Sequence, residues 1–185
     1  SLAPAGDVNG DGYGDIVVGA PSENNQSGTP TGAVHLFTGF PSGISSSASW
    51  TYEGNTDGGE FGARIEPAGD IDQDGFADLA ISELYWVGTD NGKGRVHVLY
   101  GNTSQFDRHM TIDGHEDDLI FGWSILGAGD SNGDGYDDLV IGSSDDKTEI
   151  SGRGSIQVHR GNSSGLDSTP YRVWTMSTQW TLFGY

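Results

Sequence analysis

Short apolar runs recur along the chain in a fixed order with polar segments. Three of them, Ile16–Val18, Leu79–Ile81 and Leu139–Ile141, are mostly β-branched and are followed by Gly or Ser. This pattern is typical of buried strands. Beyond each run, after a polar loop, comes a segment of alternating apolar and polar residues that opens on Gly. These segments are Gly32–Phe37, Gly94–Leu99 and Gly154–His159. The chain shows no strong helical periodicity.

A longer period organises these strands into units. The Phe-Gly pairs at Phe61 and Phe121 each open a unit with a short strand, and the buried strand, the alternating strand and an outer strand follow. The outer strands lie around Trp50–Tyr52, Met110–Ile112 and Trp174–Met176. We expect one domain over 1–185, with units at 1–60, 61–120 and 121–182, and 183–185 opening a further unit. Four short antiparallel strands in about 60 residues suit one sheet of a β-propeller.

A nine-residue acidic loop precedes each buried strand. It has the form Asp-x-(Asp/Asn)-x-Asp-Gly-(Tyr/Phe)-x-Asp and occurs at Asp7–Asp15, Asp70–Asp78 and Asp130–Asp138. Alternate residues of a tight turn can direct oxygens to one point, and calcium takes about 6–8 oxygen ligands. The candidate ligands, with the backbone carbonyl offered at the aromatic position, are Asp7, Asn9, Asp11, Tyr13 and Asp15; Asp70, Asp72, Asp74, Phe76 and Asp78; and Asp130, Asn132, Asp134, Tyr136 and Asp138. The sequence therefore predicts about three Ca²⁺ sites.

Two other interpretations of the loops fit the sequence less well. An EF-hand needs a Glu at position 12 and flanking helices, whereas Val18, Ile81 and Ile141 stand there, inside predicted strands. Single Asp/Asn/Gly turns without a metal are common. Three turns with the same ligand pattern, starting 63 and 60 residues apart, favour the cation interpretation.

The net charge of the chain limits the kinds of partner that it can be expected to bind. The chain has 27 acidic residues and a formal net charge of −19, and ten of the acidic residues are candidate ligands in the loops. Nucleic acid and anionic membranes both require basic patches, so neither is an expected partner. No apolar run approaches the roughly 20 residues that span a bilayer. The chain contains no cysteine, which excludes disulfides but does not indicate the compartment. Weak calcium modules operate outside cells, and this favours an extracellular, secreted or cell-surface location.

The Phe-Gly opening, the acidic loop and Gly19-Ala20-Pro21 at the end of the first buried strand resemble the FG-GAP repeat. That repeat builds the β-propeller of integrin α subunits and of many bacterial surface and secreted proteins. The resemblance implies an all-β propeller segment of about three four-stranded antiparallel blades, whose remaining blades come from the same or another chain. It also implies that each loop joins the first two strands of a blade and binds calcium. Ser82–Leu84 and Gly142–Ser144 depart from Gly-Ala-Pro, at a strand end and not at the ligands.

These observations favour an extracellular, calcium-binding scaffold for adhesion or protein interaction, with calcium in a structural role. No nucleophile elbow, phosphate loop or Ser/His/Asp signature is present, so we expect no enzymatic activity. The alternatives are an accessory propeller of a secreted enzyme or toxin, and a glycan-binding propeller that would use Trp86 in the predicted loop 83–93. Trp50 and Trp174 are expected at one outer-strand position, packing between blades. His35 and His97 are expected on a polar face of the alternating strands.

Overall fold

The computed structural model describes residues 1–87, 93–115, 120–144 and 154–175. Within these residues the chain contains strands and no helix, which confirms the all-β prediction. It forms three four-stranded antiparallel sheets and one two-stranded sheet. The sheets follow one another along the chain, and this arrangement is a partial β-propeller.

The strands are short and follow the predicted order. Sheet 1 and its small two-stranded companion contain β1 (Leu2–Gly6), β2 (Asp15–Ala20), β3 (Ala33–Phe37), β4 (Gly39–Phe40), β5 (Gly43–Ile44) and β6 (Trp50–Glu53), of which β4 and β5 pair only with each other. Sheet 2 contains β7 (Phe61–Gly69), β8 (Asp78–Val87), β9 (Lys93–Asn102) and β10 (Gln105–Asp113). Sheet 3 contains β11 (Ile120–Gly129), β12 (Asp138–Ser144), β13 (Ser155–His159) and β14 (Arg172–Thr175). Within each four-stranded sheet, the strands lie side by side in the order in which they follow along the chain.

The core lies between consecutive sheets. One buried cluster joins Val17 and Leu36 of sheet 1 to Phe61 and Ile81 of sheet 2. A second cluster joins sheet 2 to sheet 3 and includes the fully buried Phe121. Each Phe of a Phe-Gly pair therefore anchors its own sheet against the preceding one.

The glycine that opens each alternating strand makes this close packing possible. At Gly94 the φ angle is +90°, and a side chain would meet the carbonyl oxygen of Phe121 at 2.2 Å. Gly32 stands in the same relation to Phe61, with φ +84° and a distance of 2.3 Å. Only glycine tolerates both the left-handed backbone and this close approach. The opening glycine of each of these alternating strands therefore packs directly against the Phe-Gly pair of the next sheet.

Two sequence predictions about the outer parts of the sheets are wrong. Strand β8 continues to Val87 and β9 begins at Lys93, so the predicted loop 83–93 is largely strand. The register of β6 pairs Trp50 with Leu36, whereas β14 pairs Trp174 with Ile156. Counted from the opening glycine of each alternating strand, Trp174 is equivalent to Tyr52 and not to Trp50. Residues 183–185, predicted to open a further unit, lie outside the described residues.

Candidate metal centre

The acidic loops connect the first two strands of each sheet. Loop 1 (7–15), loop 2 (70–78) and loop 3 (130–138) follow β1, β7 and β11 and lead into β2, β8 and β12. In each loop the first Asp folds the turn around its own carboxylate, which accepts hydrogen bonds from the amides at the fifth and sixth positions. For Asp70 these amides belong to Asp74, at 3.0 Å, and Gly75, at 2.9 Å. Asp7 and Asp130 make the equivalent bonds.

The sixth position requires glycine in all three loops. Gly12, Gly75 and Gly135 have φ angles of +88°, +94° and +98°. This left-handed conformation is strained for other residues. It directs the loop back on itself, so that the fifth-position carboxylate accepts the amide of the seventh residue, as Asp74 does from Phe76 at 3.0 Å.

The ninth Asp is buried and ties the loop to the rest of its sheet. Asp78 is fully buried; it accepts the amide of Ile71 at 2.8 Å and that of Gly101, at the far end of β9, at 3.0 Å. Asp15 and Asp138 bind the amides of Gly39 and Gly161 in the same way. Sequence reasoning missed this link. Its signal was the constant separation of Asp and Gly, 24, 23 and 23 residues in the three units.

The loops are in contact with one another across the sheets. The amide of Ala77 in loop 2 donates to the carbonyl of Asp7 in loop 1 at 3.0 Å. The amide of Asp137 in loop 3 donates to the carbonyl of Asp70 at 3.4 Å, and the amide of Asp70 donates back to the Asp137 carboxylate at 2.9 Å. The three loops therefore form one continuous row along one end of the sheets.

Loop 2 meets the chemical requirements of a hard divalent cation. Carboxylate oxygens of Asp70, Asp72 and Asp78 all lie within 4.8 Å of one another. The Asp72 side chain is only 5% exposed, and its Oδ1 is buried without a hydrogen-bond partner. An unpartnered buried oxygen among carboxylates is costly unless a cation binds it. Burial, with smaller contributions from Asp72 and Asp74, raises the pKa of Asp78 to about 7, although the amides of Gly101 and Ile71 oppose the shift.

The structure places all fifteen predicted ligand residues in three loops of similar form, but among the described residues it brings three carboxylates close together only in loop 2, at Asp70, Asp72 and Asp78. It does not test their role as ligands, including that of the carbonyls of Tyr13, Phe76 and Tyr136, and this role stays a prediction. Asn9 and Asn132 at the third position each accept the amide of the fifth residue, at 2.9 and 2.8 Å. Asp72 accepts no amide bond of this kind among the described contacts and is bonded by Arg108 instead.

The other residues singled out from the sequence have structural partners. Trp86 lies on β8, and the Arg95 guanidinium covers its ring at 3.7 Å, so this ring face is not free for a glycan. His97 is buried and contacts both the Glu83 carboxylate, at 2.9 Å, and His109, at 2.8 Å.

A surface cleft of about 310 Å³ between β7 and β11 is a second candidate for a ligand site, lined in part by Arg64, Glu66 and Trp123. Arg64 donates to the carbonyl of Trp123 at 3.2 Å and lies over its ring. These contacts join the inner strands of sheets 2 and 3, which gives both residues a structural role.

Comparison with known proteins supports the family resemblance. The FG-GAP repeat model matches residues 1–37, 61–99 and 121–159. Integrin alpha-6 of Gallus gallus is 32% identical over 153 residues, covering 78% of this chain and 13% of the relative. Integrin alpha-IIb of Homo sapiens is 35% identical over 145 residues, covering 74% of this chain and 14% of the relative.

A relative of another kind also matches. Phosphatidylinositol-glycan-specific phospholipase D of Bos taurus is 34% identical over 149 residues, covering 74% of this chain and 17% of the relative. The chain thus spans less than a fifth of the length of these relatives. Among the described residues, no helix has the length and apolar character needed to cross a membrane. With three matched repeats, each forming one four-stranded sheet around an acidic loop, the chain belongs to the FG-GAP repeat family.

Proposed function

We propose that this chain is a calcium-binding β-propeller segment that acts outside the cell as a scaffold for adhesion or protein interaction. The observation that carries the proposal is the row of three loops, each folded by the same bond from the sixth-position amide to its first Asp. One of these loops holds a buried carboxylate oxygen without a partner. Hard cations prefer such oxygen-only sites, and calcium accepts flexible geometries of this kind. Each ion would neutralise carboxylates that otherwise repel one another.

Calcium's role in this proposal is structural. The ligands would be the side chains at positions one, three, five and nine and the carbonyl at position seven of each loop. The ninth Asp is bonded to the far end of the third strand, as Asp78 is to Gly101. A bound ion would therefore connect the start of the sheet to a strand two places away. Millimolar extracellular calcium is sufficient for sites of this type, with dissociation constants of about 10⁻⁴–10⁻³ M.

The scaffold role is supported by the integrin α relatives, which are named for their subunits and not for an enzymatic reaction. The phospholipase D relative favours a second candidate, an accessory propeller attached to a secreted enzyme. The sequence of the full-length protein separates the two. A flanking domain with hydrolase motifs would favour the accessory module, and further adhesive repeats or a surface anchor would favour the scaffold.

The outer face of sheet 3 supports the proposal that further blades complete the ring. Trp174 is 46% exposed. Its equivalent in sheet 1, Tyr52, packs against Phe61 and His109 of sheet 2. By analogy, a following blade from the same longer chain or from a partner would cover Trp174. We therefore expect the isolated 185 residues to self-associate at micromolar concentration. A stable monomer in sedimentation experiments would contradict this part of the proposal.

Calcium stoichiometry tests the metal sites directly. Calorimetric titration of the wild-type chain should give three ions, and Asp74→Ala, which removes one carboxylate of loop 2, should give two. Asp57→Ala is the control, because Asp57 is exposed in a turn outside the loops. Unchanged stoichiometry in Asp74→Ala would contradict the ligand assignment.

A further inference from the structure

Loop 2 differs from the other two loops at one ligand position. Its third position is Asp72, where loops 1 and 3 carry Asn9 and Asn132. Loop 2 therefore has four carboxylates at its ligand positions, and each of the others has three. A fourth carboxylate in so small a space increases the repulsion within the empty loop, unless a positive charge lies close by.

That positive charge is present on the outer strand of the same sheet. The Nη2 of Arg108, on β10, donates to Oδ2 of Asp72. Arg108 is itself 44% exposed, whereas Asp72 beneath it is 5% exposed. The guanidinium therefore covers the carboxylate and engages one of its oxygens, while Oδ1 is the buried oxygen without a partner.

The position of the guanidinium is fixed from its other side. Arg108 lies over the ring of Tyr100, 3.6 Å from the centroid. The Tyr100 hydroxyl accepts the amide of Leu166, in the loop between β13 and β14, at 2.8 Å and donates to the sulfur of Met110 at 3.3 Å. A ring held at its far end in this way presents a fixed surface for the guanidinium.

The equivalent positions of the other two sheets, all within the described residues, carry no basic side chain. The outer strands are aligned here by the residue that pairs with the fourth position after the opening glycine of each alternating strand. These residues are Met110 in sheet 2, Trp50 in sheet 1 and Arg172 in sheet 3. Two residues before each of them stand Arg108, Ala48 and Pro170. At this aligned position a basic residue thus occurs only in the unit whose third loop position is Asp. The arginines of the third unit, Arg160 and Arg172, lie over the ring of Tyr171 instead. With Arg108 counted, the ligand set of loop 2 carries a net charge of −3, the same as the ligand sets of loops 1 and 3.

We infer that Arg108 is a positioning residue of the second cation site: it holds one oxygen of Asp72, offsets the fourth carboxylate and thereby sets the calcium affinity of loop 2. The inference rests on the proposed calcium function. Without an ion, the guanidinium reduces repulsion among the loop carboxylates. With an ion bound, it opposes the ion's charge and lowers the affinity that four carboxylates would otherwise give.

The test is a double-mutant cycle read separately at each loop. The amide resonances of Gly12, Gly75 and Gly135 report one loop each, because all three amides are bonded to the first Asp of their own loop. In calcium titrations of the full chain, Arg108→Gln should raise the affinity reported by Gly75 at least about tenfold, and Asp72→Asn should lower it by a similar factor. The double variant should return to within about threefold of wild type, because the charge of its ligand set is again −3.

Two further variants separate charge from packing. Arg108→Lys keeps the charge and should keep the Gly75 affinity near wild type. Arg95→Gln removes the exposed ion pair to Asp113, a residue outside the loops, and should leave all three reporters unchanged. In EDTA, Arg108→Gln should also melt several degrees below both wild type and Arg95→Gln.

The outcomes distinguish this inference from the calcium proposal. If Gly12 and Gly135 respond to calcium while Arg108→Gln leaves the Gly75 affinity unchanged, the inference is wrong and the calcium function stands. A double variant whose Gly75 affinity stays about tenfold or more away from wild type would also overturn it. If no reporter responds to calcium, the calcium proposal fails and this inference fails with it.

Discussion

The acidic loops and the outer strands of the sheets are built on different principles. All three loops share the hydrogen bonds from the fifth and sixth amides to the first Asp, because these acceptors and donors lie within nine residues of each other. The outer strands do not repeat in this way: Trp50 packs edge-on against Phe106 of the next sheet, whereas Trp174, on the last described strand, is 46% exposed. A locally determined element keeps its form in every unit, and an element determined by its neighbour varies with that neighbour.

The largest effect is expected at the buried end of a loop. Asp78→Ala leaves the buried amides of Ile71 and Gly101 without acceptors and should lower the unfolding free energy in EDTA by about 2–4 kcal/mol. Asp74→Ala, at an exposed position of the same loop, should cost less than about 1 kcal/mol under the same conditions. Urea unfolding of the two variants measures the difference. Equal losses would show that the ninth Asp is only a ligand and does not connect the loop to β9.

A second substitution breaks the same connection from the strand side. A side chain at Gly101 would lie 2.4 Å from the carbonyl oxygen of Ala77 and 2.7 Å from that of Val8. Gly101→Ala should therefore destabilise the chain by about 1–3 kcal/mol, because backbone must move. Gly14→Ala is the matched control, since nothing lies within 4 Å of a side chain there. Indistinguishable urea midpoints for the two variants would rule out this close packing.

The outer strands give a smaller effect that depends on the neighbouring sheet. Trp50→Ala removes a ring whose centroid lies 5.0 Å from that of Phe106, and it should cost about 1–2 kcal/mol. Trp174→Ala should be close to neutral in a monomeric sample of the isolated chain, because nearly half of the residue is exposed. The same unfolding assay compares them. An equal cost for both would contradict the dependence of the outer strands on a neighbouring sheet.

The smallest effect concerns pH. Burial, with smaller contributions from the charges of His97 and Arg95, lowers the pKa of His109 from 6.5 to about 4. The unfolded chain therefore takes up a proton at a higher pH than the folded chain, and stability is lost as pH falls from about 6.5 to about 4. His109→Gln removes this contribution, so its melting temperature should fall less than that of wild type, by about 1–3 °C, between pH 7 and pH 5. Parallel pH profiles for the two proteins would contradict the assignment.

The sequence predicts the loops and the order of the strands because both follow from short-range patterns. The positions of Asp70, Gly75 and Asp78 within one turn determine the form of loop 2, and the period-two runs determine the strands. The register of Trp174 and the length of β8 were predicted wrongly, because both depend on pairing with other strands.

Side-chain contacts that cross the sheet were also not predicted from the sequence. The link from Asp78 to Gly101 spans 23 residues, and that from Arg108 to Asp72 spans 36. The first link has a sequence signal, the constant Asp–Gly separation, which emerges only when the three units are compared. The contact between Arg108 and Asp72 becomes visible only when the strands are placed side by side.

Thermal unfolding with and without calcium tests the central claim most directly. An ion that binds only the folded state stabilises it by mass action, by about 2.7 kcal/mol for each site at a concentration about 100 times its dissociation constant. With three sites, the melting temperature in excess Ca²⁺ should exceed that in EDTA by well over about 10 °C, and Asp74→Ala should lose about a third of the stabilisation. Equal melting temperatures of a folded sample in Ca²⁺ and in EDTA would contradict a structural role for calcium.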